Sequence, residues 1–189
     1  MADNVNFRST LGYVTDAANT FAELTIGGDY PTVAPWGRNV SWEGGATVQA
    51  RDRNSGNDPR IAGLGFTNAV TDQYTFRIDL AAAGTYPIAL AAGDPSYATA
   101  VNITIQDSAT VLGTPISGST SAPQRFKDAT NTEYTQATWP SSQTPVNFTF
   151  ATTILRVIVG DGVNGGHINH VSVGAALVST AILMGQAWL

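Results

Sequence analysis

The sequence predicts an all-β, antiparallel β-sandwich of jelly-roll-like form, and three observations predict it. Alternating apolar and polar runs fill the second half of the chain, Gly and Pro interrupt them at strand-length intervals, and no amphipathic helix is legible. Tyr74, Phe76, Ile78 and Leu80 alternate with Thr75, Arg77 and Asp79, the period of a strand with one buried face. Ala83-Gly84 turns the chain into Thr85 to Leu90, where Pro87 belongs at a sheet edge or near the strand start. Val101, Ile103 and Ile105 form the next strand, and Asp107-Ser108 turns it into Thr110 to Leu112. From Gly113 to Pro145 the composition is Ser, Thr, Gly, Pro and Ala, which reads as a long surface excursion. Val146 to Phe150 and Thr153 to Val159 restore strand patterning. Ile168 to Val173 closes it, although Ile168 and Val171 fall on opposite faces unless a bulge intervenes. In the first seventy residues, Phe7 to Thr15, Phe21 to Ile26 and Thr47 to Ala50 each read as a strand.

With 189 residues, 43% hydrophobic and 12% charged, the chain is long enough for one substantial core. The expected division is an N-terminal arm or first strand at 1–20, the sandwich at 21–177 and an apolar arm at 178–189. The net charge of −5 comes without any basic stretch, which argues against direct nucleic-acid binding. Arg outnumbers Lys eight to one, a balance suited to planar hydrogen bonding and interfaces. There is no Cys, so disulfides and thiolate metal sites are excluded. The polar, acidic start Met1 to Asn6 does not read as an export signal. Sequons at Asn39, Asn102 and Asn147 carry little weight without one.

Motifs of catalysis fail one by one. Gly160-Asp161-Gly162-Val163-Asn164-Gly165 matches G-x-G-x-x-G, but β-branched residues follow where a helix is needed, and no acid follows Asp161. It reads as a hairpin loop. His167 and His170, the only histidines, sit at an odd spacing that sends them to opposite faces of a strand. No serine elbow occurs, and while a pair of carboxylates for glycoside cleavage stays open, only three Glu exist and none sits in an obvious motif. The expectation is therefore a protein that is not an enzyme and needs no metal or organic cofactor.

The densest polar cluster, with Arg51, Asp52, Arg53, Asp58 and Arg60, reads first as an Arg–Asp network pinning a loop, and second as a calcium loop. Trp36 and Trp42, near Pro31, Pro35 and Gly37, are candidate contacts for a glycan or partner, although aromatics so placed more often fill a core edge. Trp139, within the polar excursion, is a better candidate for an exposed contact. The segment Val173 to Leu189 has no charge, but part of it belongs to the last strand, leaving too little for a membrane span of roughly 20 residues. Its end, Trp188-Leu189, reads as a docking arm for another subunit or partner.

Tyr74 to Leu80, Gly84-Thr85-Tyr86, Gly93-Asp94-Pro95, Val101-Asn102-Ile103 and Ile168-Asn169-His170-Val171 together resemble galactose-binding-like and malectin-like jelly rolls. That resemblance implies sugar binding. The segment Arg51 to Arg60 is similar to uncharacterised jelly-roll proteins of tailed bacteriophages. This second resemblance implies a capsid decoration or head-fibre protein in a virion, assembled in the host cytoplasm, homo-oligomeric and bound to the major capsid or another virion protein. The virion role is the expectation taken forward, with a secreted carbohydrate-binding module as the alternative.

Overall fold

The computed structural model describes residues 3–7, 15–16, 19–24, 32–33, 38–43, 49–52, 61, 63–67, 69–139 and 144–177. The early strands are β1 (Asp3–Phe7), β2 (Thr15–Asp16), β3 (Asn19–Leu24), β4 (Thr32–Val33), β5 (Asn39–Glu43), β6 (Gln49–Asp52) and β7 (Gly63–Phe66). Then come β8 (Tyr74–Asp79), β9 (Gly84–Asp94), β10 (Ile103–Asp107), β11 (Thr110–Ile116), β12 (Arg125–Asp128) and β13 (Glu133–Thr135). A short 3-10 turn at Gln136–Thr138 leads to β14 (Val146–Phe150), β15 (Ile154–Val159), β16 (His167–Ile168) and β17 (His170–Val173).

These strands form a β-sandwich. One sheet runs β13-β12-β9-β17-β1-β3-β2, with β14 also paired to β9, and the facing sheet runs β11-β10-β15-β8-β5-β4. A smaller sheet, β16-β7-β6, closes one side. Pairing is antiparallel except between β1 and β3, which run parallel.

The alternation read from the sequence sets which residues meet between the layers. Phe76, Ile78, Leu155 and Val157 face inward from one sheet, Ile88 and Leu90 from the other, all fully buried. Each such side chain contributes about 1.5–3 kcal/mol relative to exposure. The opposite face of β9 is buried too. Ala91 packs there with Ile61, Phe126 and Trp139 in a second apolar cluster. The region from Gly113 to Pro145 is therefore not simply a surface excursion, because the buried pair Phe126 and Asp128 alternates with half-buried Arg125 and Lys127 to make β12 a true strand against β9.

The odd spacing of Ile168 and Val171 is resolved by a change of sheet. Ile168 pairs with Gly65 in the small sheet, His170 pairs with Ala91 in the large one, and both Ile168 and Val171 reach the core. Asn169 makes the crossing, its amide donating to Ala91 O at 2.8 Å and its Nδ2 to Gly63 O at 2.7 Å. Pro87 lies near the start of β9, where the pairing with β17 ends at Ile88. On the outer face of the second sheet, Arg156 grips Glu43 through two bonds of 2.7 and 3.0 Å, and Arg77 pairs with Asp79 at 2.8 Å. These half-buried pairs occupy two of the arginines that the composition suggested for interfaces.

At the other corner, the Asp107 carboxylate accepts from the Ala151 amide at 2.6 Å and from the Thr152 hydroxyl and amide, tying β10 to the turn between β14 and β15. The Thr152 hydroxyl chiefly holds its pKa below the ordinary 3.8, with the two amides assisting against the upward push of burial. A depressed carboxylate adds stability that is present above 3.8 and lost as pH falls through the lower folded value. Asp107→Asn should lower the melting temperature at neutral pH and make its acid decline shallower, as thermal melts across acidic pH will read; an unchanged decline would refute this. Gly93 makes the pairing of β9 with β12 possible, since a Cβ there would meet Arg125 O at 2.3 Å. Gly93→Ala should therefore cost about 1–3 kcal/mol in chemical denaturation.

Candidate functional site

Three connections converge at one end of the sandwich: residues 95–102 before β10, 117–124 before β12, and 160–166 before β16. One buried side chain stitches them. Asn102 donates through Nδ2 to Asn164 O at 3.1 Å and Gly165 O at 2.9 Å, while its Oδ1 accepts from the Gly118 amide at 3.3 Å. Its own carbonyl accepts from Gly160, and Val101 donates to Gly118 O. Asn102 is only 7% exposed, so the sequon there is sealed inside the fold.

The loop 160–166 is built around Asp161, as its turn residues suggested. Its Oδ1 accepts from the amides of Asn164 at 2.6 Å and Val163 at 2.9 Å, and its Oδ2 accepts from Asn164 Nδ2 at 3.1 Å. The Asn164 amide, then those of Val163 and the Asn164 side chain, hold the Asp161 pKa down, so the group is a carboxylate well into acid. Gly160 has φ +88°, and a Cβ there would strike Asp72 O at 2.4 Å, so the loop requires glycine at that position. β16 follows the loop, which accounts for the failure of the dinucleotide reading.

Between these loops lies a cleft of about 300 Å³ lined by Asn102, Ser117, Ser119, Asp161 and Asn164. It presents hydroxyls, amides and one carboxylate on a framework already fixed by backbone hydrogen bonds. Exposed Tyr97 belongs to the same 95–102 connection. A second recess of about 350 Å³ lies at the sandwich edge, with Ile116, Val146 and Phe148 in its floor and Thr114, Thr130 and Asn131 at its rim.

The aromatic candidates lie elsewhere. Trp42 is 4% exposed and packs in the core against Phe76 at 5.1 Å and Phe7 at 5.5 Å between ring centroids. Trp139 is 8% exposed, wedged at 5.8 Å from both Phe126 and Tyr134. Neither presents an open face for a sugar to stack on. In each case an apolar surface that a strand had to cover claimed the ring. Trp36, Trp188, Leu189, Arg53, Asp58 and Arg60 lie outside the described residues, as does the whole 178–189 arm. Arg51 and Asp52 belong to β6, opposite Leu64 and Gly63, and no side-chain network is described for them. His167 stacks on Phe66 and lies 2.6 Å from Thr99 Oγ1 through Nδ1, whereas His170 is buried opposite Ala91. Among the described residues no three His, Cys, Asp or Glu gather into a metal-holding group, and no helix is long and apolar enough to cross a membrane.

Sequence reading missed the cleft residues Asn102, Ser117, Ser119, Asp161 and Asn164. The available signal was the loop 160–165, rich in turn residues and correctly placed after a strand, but nothing local revealed that Asn102 reaches it across more than sixty positions.

No family model matches the sequence, and no curated protein matches it. Solved structures do. β-Glucuronidase 2 of Bacteroides uniformis, bound covalently to cyclophellitol-6-carboxylate aziridine, matches with a TM-score of 0.53 and 14% identity, over 94% of this chain and 18% of that one. A calcium-binding mutant of the same enzyme gives 0.52 and 13% over the same shares. Protein YxiM of Bacillus subtilis gives 0.51 and 9%, over 94% of this chain and 40% of that one. At such identities the likeness defines the fold, an all-β sandwich, and this chain spans less than half of each neighbour.

If Asn102 is the fastening of the site, Asn102→Ala should leave two carbonyls and an amide without their partner and cost about 1–3 kcal/mol, read by denaturant titration. A variant as stable as the parent would show that the loops hold themselves.

Proposed function

We propose that the chain is a non-catalytic carbohydrate-binding sandwich domain whose ligand enters the cleft between residues 95–102, 117–124 and 160–166. The observation that carries this reading is the convergence of Asn102, Ser117, Ser119, Asp161 and Asn164 on one cleft of about 300 Å³. Hydroxyl, amide and carboxylate groups match the donor and acceptor pattern of a sugar's hydroxyls, and the cleft is at the lower end of sizes typical of small-ligand sites. Asp161 is the one acid lining it, where glycoside hydrolysis calls for a pair of carboxyl groups. The fold neighbours lend support, since this chain corresponds to a minor portion of a glycosidase chain. Fold likeness alone does not carry function, so the weight rests on the cleft.

The virion reading draws on segment 178–189 and on the likeness of residues 51–60 to phage proteins, both beyond the described side chains. The named enzymes among the neighbours are β-glucuronidases, which lend that reading nothing.

Glycan-array screening followed by titration of the best ligand tests the proposal. Binding should fall about 10–100-fold in Asp161→Ala, the loss expected for hydrogen bonds to a charged group. Absence of glycan binding, or binding indifferent to Asp161, would overturn it.

A further inference from the structure

We propose that Asn164 is a site of spontaneous modification: the Gly165 amide nitrogen attacks Asn164 Cγ, ammonia leaves, and water opens the resulting succinimide to aspartate or isoaspartate. The nitrogen–Cγ bond forms as the Cγ–Nδ2 bond breaks. The proton on the Gly165 nitrogen passes to solvent base, the departing nitrogen takes a proton from water, and one water is consumed overall. No other reactant is required.

Asn164-Gly165 is the only Asn-Gly pair in the sequence, and glycine places no side chain in the way of its own nitrogen. The Asn164 side chain is exposed to water and base, while Gly165 behind it is buried. The amides around the attacking nitrogen are all committed. Those of Val163 and Asn164 donate to Asp161 Oδ1 at 2.9 and 2.6 Å, and that of Gly166 donates to Thr67 Oγ1 at 3.0 Å. Among the described residues, the Gly165 amide has no such bond. It is the one nitrogen of the loop's second half with no hydrogen bond to give up before it attacks. Asp161 Oδ2, 3.1 Å from Nδ2, steadies the group that departs.

The consequence falls on the clamp. In isoaspartate the main chain runs through Cβ and Cγ, and the former Asn164 carbonyl oxygen, which Asn102 Nδ2 binds at 3.1 Å, becomes part of a free carboxylate. A new negative charge also replaces the amide beside Asp161. Both changes drive the loop away from Asn102, so the age of the molecule is written into the cleft.

The test incubates the full-length native protein at mildly alkaline pH and follows each asparagine by peptide mapping, with the heat-unfolded chain as positive control. A one-dalton gain with isoaspartate should accumulate at Asn164 at least about tenfold faster than at exposed Asn131 or Asn147. Asn164→Gln should remove that signal. The isoaspartyl fraction, separated from the parent by its extra charge and from the aspartyl form by reversed-phase chromatography, should melt below the fresh protein. The proposal is overturned if Asn164 stays intact in the folded protein while the unfolded control is modified there. It is likewise overturned if the three asparagines change at the same rate, or if the isoaspartyl fraction melts unchanged.

Discussion

The structure depends on β9 burying both of its faces at once. Leu90 and Ala92 enter the main core while Ala91 between them enters the second apolar cluster. Because side chains alternate along a strand, no register shift could satisfy both clusters, and the strand is fixed in place. Its neighbours inherit that register: β17 on one side, β12 and β14 on the other. The small residues Ala91, Ala92 and Gly93 follow from the same demand, for β12 crosses so close to Gly93 that any side chain there would meet backbone.

From this rigid layer the cleft gains its order. Asn102 immediately precedes β10, so its position is set by a strand in the opposite sheet, and through three hydrogen bonds it imposes that position on two other loops. A loop held by its own turn could wander relative to its neighbours. Three loops sharing one buried amide cannot, and a ligand entering between them meets groups already in place.

The sequence revealed most where one face of a strand is buried and the other is wet. Tyr74 to Asp79 and Ile103 to Asp107 were legible because alternation and burial coincide there, and Ile154 to Val159 because a nearly unbroken apolar run marks a strand buried on both faces. β12 was not, because a four-residue strand amid Ser, Thr and Pro carries only Phe126 as a signal, and its burial depends on Trp139 arriving from thirteen residues away. Toward the N-terminus, β1 lies earlier than the strand expected at Phe7 to Thr15, β7 carries no alternation in Gly63-Leu64-Gly65-Phe66, and β5 was missed although Asn39 to Glu43 alternates. Trp42 and Trp139 took the bland course, filling the core rather than meeting a ligand. Neighbouring prolines and serines suggested exposure, whereas the deciding fact was a gap in a distant apolar cluster.

Among the described residues, five aspartates find their use in turns. Asp72 accepts from the Ala69 amide, Asp94 from Ser96, Asp107 from Ala151, Asp128 from Thr130 and Thr132, and Asp161 from Val163 and Asn164. Each carboxylate answers backbone donors that a change of chain direction leaves unpaired. A sandwich with many connections and few helices needs many such groups, and aspartate supplies them at the cost of net charge. These five of the chain's fourteen acids thus serve its changes of direction. Of these five carboxylates only Asp161 also borders one of the two recesses, so the residue that shapes the 160–166 loop is the one placed to meet a ligand.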